Sequence, residues 1–174
     1  MCIRDRPEPT MLDKSDDKLR RIAFHEAGHC WMMVTEGLGV KSVSLRPDMP
    51  GTGDNRGETL PEKSMEEGNR GLAEKFARAA LAGSAAEQYL MGAWDEGGLQ
   101  ASAYDTGRAR SYMAMSGSEW KPEALEYYVQ VLSNSTMDQI TEPGAWHAIT
   151  SLAYKLLEVE VMSGEEVNRI LSDW

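Results

Sequence analysis

Two of the three histidines in this chain, His25 and His29, stand four residues apart with an acid directly after the first, in the run His25-Glu26-Ala27-Gly28-His29. Around them Leu19, Ile22, Ala23, Ala27 and Cys30 recur at helical spacing, and Trp31 to Val34 extend the apolar side. That pattern predicts the interior of a helix starting at Ser15 or Asp16 and ended by Gly37 and Gly39. Residues i and i+4 of such a helix lie one above the other on one face. Two imidazoles so placed can grip one Zn²⁺, each at about 2.0–2.1 Å. Glu26 follows the first ligand and can serve as general base toward a water on the ion. Gly28 costs about 1 kcal/mol relative to alanine in a helix interior, so another backbone or the substrate is expected to come close there.

A catalytic zinc takes three protein ligands and keeps one position open. The extended pattern with a third histidine six residues after the second fails at Thr35, and the glycine it expects is Met32, so the metzincin arrangement is excluded. His147, among Trp146, Ala148 and Ile149, reads as a core or surface histidine rather than a ligand. Two carboxylates remain. Glu87 lies in the apolar helical stretch from Leu81, where a buried acid needs a partner and could be a ligand or support one. Asp105 sits near the start of a predicted helix, where an acid is also favoured by the helix dipole. Spacing alone does not choose between them.

The remaining chain reads mostly helical. Val40–Arg46 is expected as a short strand, with Val43 and Leu45 alternating against Ser42 and Ser44. Residues 47–57 form a loop, and Glu58–Leu60 a returning strand. Helices are expected over Ser64–Met91 with a break at Gly68 or Gly71, from about Ser102 to Met115, and over Glu123–Ile140 and Ala145–Val161. The last two are expected as an antiparallel pair split at Pro143-Gly144. Residues 92–98 read as a loop, and Ser163 as the cap of a final short helix.

The 174 residues suit one domain, with residues 1–15 as a disordered tail and 16–174 as the folded unit. The first six residues, MCIRDR, share no pattern with the rest of the chain and resemble a sequence-read artefact. A net charge of -10 argues against a nucleic-acid surface, which needs a basic stripe, and against docking on an anionic membrane. Cys2 and Cys30 make no disulfide framework, so a reducing compartment is the default, and Cys30 reads as core. Neither an apolar run long enough to span a bilayer nor a secretory leader is visible, which leads to the expectation of a soluble cytoplasmic protein.

Beyond the zinc-type motif, Ala23-Phe-His-Glu-Ala-Gly-His29 resembles the motif of the FtsH peptidase family, the proteolytic half of the membrane-bound AAA proteases. Val43-Ser-Leu-Arg-Pro47, Leu60-Pro61-Glu62, Leu81-Ala-Gly-Ser-Ala-Ala-Glu87, Ala101-Ser-Ala-Tyr-Asp105 and Leu152-Ala-Tyr-Lys-Leu-Leu-Glu158-Val-Glu160 are similar to successive steps of that domain, over roughly residues 18 to 171. The resemblance implies a zincin-like α+β domain, predominantly helical, with a small β element beside the HEAGH helix. It implies Asp105 as third ligand, with Glu87 as a supporting acid. It further implies that Ser42, Val43, Ser44 and Leu45 form an edge strand that pairs with extended substrate, and that the family's ring of six is a model for self-association. This chain departs in having no G-x-x-x-x-G-K-[ST] loop and no membrane anchor, and in Ser84 and Ala101 standing where the family usually has arginine and glycine. Unfolding of folded substrates would then need a separate partner.

The reading is therefore a zinc metalloendopeptidase acting on unfolded or peptide substrates, with one Zn²⁺ held by His25, His29 and Asp105 and with Glu26 as acid and base. The rival is a non-catalytic zinc-binding adaptor on the same scaffold, against which the intact Glu26 counts.

Overall fold

The computed structural model describes residues 14–45, 57–92 and 96–173. The expected tail through residue 13, the Arg46-Pro47 step, most of the 47–57 loop and residues 93–95 lie outside the described residues.

Helix α1 (Lys14–Thr35) carries the HEAGH run in its second half. It stops in a two-bond turn in which Leu38 N donates to Met33 O (2.8 Å) and Gly37 N to Val34 O (3.0 Å). This geometry needs a left-handed residue, supplied by Gly37 at φ 71. Strand β1 (Val40–Ser44) comes next, then β2 (Glu58–Pro61). Val43 is buried opposite Thr59, while Ser42 pairs with Leu60 and Ser44 with Glu58 on the other face. The register slips between Val40 and Ser42, which lets Val40 and Val43 both turn inward although they are three residues apart.

Helix α2 (Arg70–Met91) begins one residue after Asn69, whose side chain accepts from Leu72 N at 3.0 Å. Residues 64–69 are turn and coil, so the expected break falls before the helix rather than within it. From Ala79 to Glu87 every residue of α2 is buried. Its small side chains let other helices approach on two sides. One side joins α1, the sheet and α5 (Pro143–Val159) around Phe24, Met32, Ile149 and Leu152. The other packs Ala73, Ala77 and Leu81 against Ala109 and Met113 of α3 (Glu96–Ala114) and Val129 and Leu132 of α4 (Pro122–Thr141).

The fold departs from expectation in three places. Helix α3 starts at Glu96, not near Ser102, so part of the expected 92–98 loop is helical and Asp105 lies in a helix interior rather than a first turn. Helices α4 and α5 meet at Pro143 but pack mainly on α2 and α1 respectively, because their apolar faces belong to different cores. A third strand, β3 (Val161–Ser163), comes after the left-handed Glu160 and pairs antiparallel with β1, giving the order β2-β1-β3. Strand β1 is therefore central, and Ser42, Val43 and Ser44 are not edge residues; Leu45 just beyond also donates its N–H to Glu160 O at 2.9 Å. The hydrogen-bonding positions that an extended peptide would use are taken by β3.

Helix α6 (Gly164–Leu171) closes the described chain with a capping box in which Ser163 and Glu166 bond reciprocally. The molecule is thus α+β, predominantly helical, with one small antiparallel sheet against α1. Among the described residues no helix is long and apolar enough to cross a membrane.

The α1–α2 contact is as close as Gly28 suggested. A Cβ on Gly28 would stand 2.5 Å from Ala82 O and 2.8 Å from Ala86 Cβ. Alanine at 28 gains about 1 kcal/mol of helix propensity, but overpacking against a backbone carbonyl costs about 1–3 kcal/mol. Gly28→Ala is expected to lower the stability of the metal-free protein in urea melts. A variant as stable as the parent would mean that the two helices do not meet at this distance.

Candidate metal centre

The α1–α2–α3 junction assembles three ligand-type side chains from two distant parts of the sequence. His25 Nε2 and His29 Nε2 lie 3.0 Å apart, and the Asp105 carboxylate faces them at 3.5 Å (Oδ2 to His25 Nε2) and 3.8 Å (Oδ1 to His29 Nε2). One ligand atom from each residue falls within 4.8 Å of the others, so the group could hold a metal ion. Space for the two rings exists because α2 has no side chain at Gly83. A Cβ there would be 2.4 Å from His29 Nε2 and 2.8 Å from His25 Nε2.

The outer nitrogens fix which lone pairs point inward. His29 Nδ1 lies 2.7 Å from Ala79 O, and a carbonyl only accepts, so Nδ1 carries the proton and neutral His29 presents a bare Nε2. His25 Nδ1 faces Glu87 Oε2 at 3.2 Å and donates to it. Glu87 in turn accepts from Arg21 Nε at 2.9 Å. Burial disfavours the Glu87 carboxylate, but the bonds from His25 and Arg21 outweigh it and hold its pKa below the usual value. Asp105 is 1 % exposed and anchored by Ser84 N, which donates to Oδ2 at 3.0 Å. Burial raises its pKa against the opposing pull of His25 and Ser84.

Two imidazole lone pairs and a carboxylate therefore converge in a buried space. Such a donor set could hold a metal ion, and two nitrogens with one oxygen are ligands that zinc accepts. A proton competes with an ion for the same lone pairs. Burial alone would lower the His25 pKa, yet the Glu87 bond and the charges of Asp105 and Glu26 raise it to about 9. His29 goes the other way, to about 4, through burial and the neighbouring His25 charge. With a proton on its Nε2, His25 would donate to the bare Nε2 of His29.

Glu26 points toward the sheet. Thr59 of β2 donates to Glu26 Oε2 at 2.6 Å, and a Cβ on Gly57 would touch the Glu26 carboxylate. Glu87, expected as either ligand or support, bonds to the first histidine from behind and is outside the group that could hold the ion. His147 is exposed on α5 and is likewise outside that group. Cys30 is a buried free thiol whose pKa burial pushes up, so it belongs to the core. Sequence reasoning missed Thr59, Gly83 and Arg21. Only Arg21 left a signal, standing one helical turn before His25 on the same face.

A scan against known protein-family models finds no match, and a search of curated proteins finds no significantly similar one.

Two measurements test the centre. Asp105→Ala is expected to abolish tight zinc binding, whereas Glu87→Gln, which keeps the shape but loses the charge, should weaken it roughly 10–100-fold. The reverse ranking in metal titrations would make Glu87 the ligand. A bound cation must also displace the His25 proton. Affinity is therefore expected to fall about tenfold for each pH unit below about 9, with about one proton released from His25 per ion at pH 7. Calorimetry in buffers of different protonation enthalpy counts that proton; pH-independent binding between 7 and 9 would refute the protonated pair.

Proposed function

We propose that this chain is a zinc-dependent metallopeptidase of the FtsH type, cleaving peptide bonds in extended or unfolded polypeptides. The observation that carries the reading is the convergence of His25, His29 and Asp105 beside Glu26, with both outer imidazole nitrogens already tied back. That combination suits hydrolysis: three ligands leave a position open, and an acid stands next to the first ligand. The motif sequence HEAGH and the similarity of the surrounding segments to the FtsH peptidase domain support the same conclusion.

His25, His29 and Asp105 would hold the ion. Bound zinc supplies Lewis acidity toward a carbonyl and toward a water. Glu26 takes the proton released when water adds to the scissile carbonyl carbon, and returns it to the amine nitrogen as the C–N bond breaks. Thr59 holds the Glu26 carboxylate by one oxygen, restricting its rotation. Glu87, itself anchored by Arg21, keeps the first ligand in the tautomer that offers Nε2.

Extended substrate needs a strand to pair with, and β1 has none of its edge free. Strand β2 would take the role: among the described residues it pairs only with β1, and its Thr59 contacts Glu26. Main-chain pairing along β2 would lay a peptide beside the general base with little demand on its sequence.

Glu26→Gln is expected to bind one zinc per chain as the parent does, while cleavage of an unfolded protein falls roughly 10²–10⁴-fold. Zinc content by mass spectrometry and cleavage by gel are read on the same preparations. A parent protein that binds zinc and cuts no unfolded substrate would replace the enzyme with a zinc-binding module.

A further inference from the structure

One turn beyond Asp105 on α3 stands Arg108, a half-buried cation that the peptidase chemistry leaves unused. Five other arginines are matched to acids, Arg21 to Glu87, Arg70 to Glu74, Arg78 to Glu36, Arg110 to Glu126 and Arg169 to Glu165, while the exposed Arg20 lies over the Phe24 ring. Arg108 has no carboxylate within salt-bridge distance among the described residues. Among the described residues its hydrogen bond runs from Nη2 to Tyr112 Oη at 3.0 Å, with the guanidinium 5.9 Å from the centre of the same ring. Tyr112 is fixed in turn against Phe76 of α2 at 5.1 Å between ring centres.

A guanidinium offers five donors in a rigid fork matched to a carboxylate, and among the described residues only one of them is seen to bond, to Tyr112. Half-burial weakens solvent screening, so a carboxylate docked on it gains more than it would at an exposed arginine. The group is also in the right neighbourhood, standing one helical turn from Asp105 on the same helix. Tyr104 lies one turn before it on the same helix and is 57 % exposed. The chain carries a net charge of -10, so a polyanion such as nucleic acid is repelled overall, while a single carboxylate meets this one local cation.

We infer that Arg108 is a substrate-selecting residue that binds a carboxylate of the peptide near the bond to be cut, either an acidic side chain or a free C-terminus. The inference rests on the peptidase reading for its context, but the carboxylate subsite can be measured without turnover.

Zinc-loaded parent, Arg108→Gln and Arg108→Lys proteins are compared on end-blocked peptides that differ only by Glu for Gln at each position flanking the cleaved bond. A second peptide pair is neutral and differs by a free or amidated C-terminus. In the parent, kcat/KM for the carboxylate member is expected to exceed its neutral partner roughly 10–100-fold, as for a charged hydrogen-bonded pair. That ratio should collapse to about 1 in Arg108→Gln and survive in part in Arg108→Lys. Using the ratio cancels any general effect of the substitution on the centre. Whichever pair responds identifies the carboxylate as side chain or terminus. The same ratio is read in Kd by fluorescence anisotropy of labelled peptides on Glu26→Gln protein, and added salt should reduce it. A ratio of 1 in the parent overturns the inference whether or not the variants fold, as does a ratio unchanged in Arg108→Gln. If the parent cuts no peptide while Arg108-dependent binding persists, the peptidase reading fails and the carboxylate subsite stands.

Discussion

The close approach of α1 to α2 is the constraint on which the other features depend. It requires Gly28 on one helix and Gly83 on the other, because a methyl group at either would overlap a backbone carbonyl or an imidazole. The alanine-rich middle of α2 extends the same economy of bulk, so that α1 and α3 both reach its surface. Only this arrangement brings Asp105, far from His25 along the chain, to within a few ångströms of both imidazoles. Helix propensity is sacrificed at the two glycines, and the packing of three helices around one buried polar centre is gained.

Charge at that centre is arranged in layers. Innermost are two imidazole nitrogens and a carboxylate, all electron-rich and drawn together. Behind them stand Glu87, Ala79 O and Ser84 N, each fixing the orientation of one inner group. Arg21 lies outside Glu87 and keeps it ionised. This concentration of electron-rich groups makes the innermost set one that could hold a cation, and it also raises the His25 pKa. A carboxylate behind a ligand histidine raises the basicity of its inner nitrogen, so the same contact that retains the proton would also strengthen a bond to metal.

The sheet contributes through Thr59 rather than through the strand that the family resemblance emphasised. Because β3 pairs with β1, the central strand is saturated on both sides, and only β2 presents an edge among the described residues near Glu26. Thr59 faces inward from β2 and ties the Glu26 carboxylate to the sheet. Glu26, the proposed general base, is thereby tied to the proposed substrate edge, a form of preorganisation that would suit hydrolysis.

By itself the sequence determined the local elements and half of the centre. The i, i+4 histidines with Glu26 follow from helical periodicity alone, as do the boundaries of α1, α4 and α6 to within a few residues, since caps and apolar spacing are local signals. The prominence of Glu87 was also legible, because an acid in an apolar run must find a partner. Choosing Asp105 over Glu87 as the inner carboxylate was not, since which acid reaches the imidazoles depends on how α2 and α3 are set against α1. Strand β3 was invisible for a similar reason: three residues carry too little pattern, and their pairing with β1 arises only when the chain turns at Glu160. Thr59 gained its bond to Glu26 from a neighbour distant in sequence. Local chemistry is written along the chain, whereas partnership across it is decided by packing, which only the folded structure fixes.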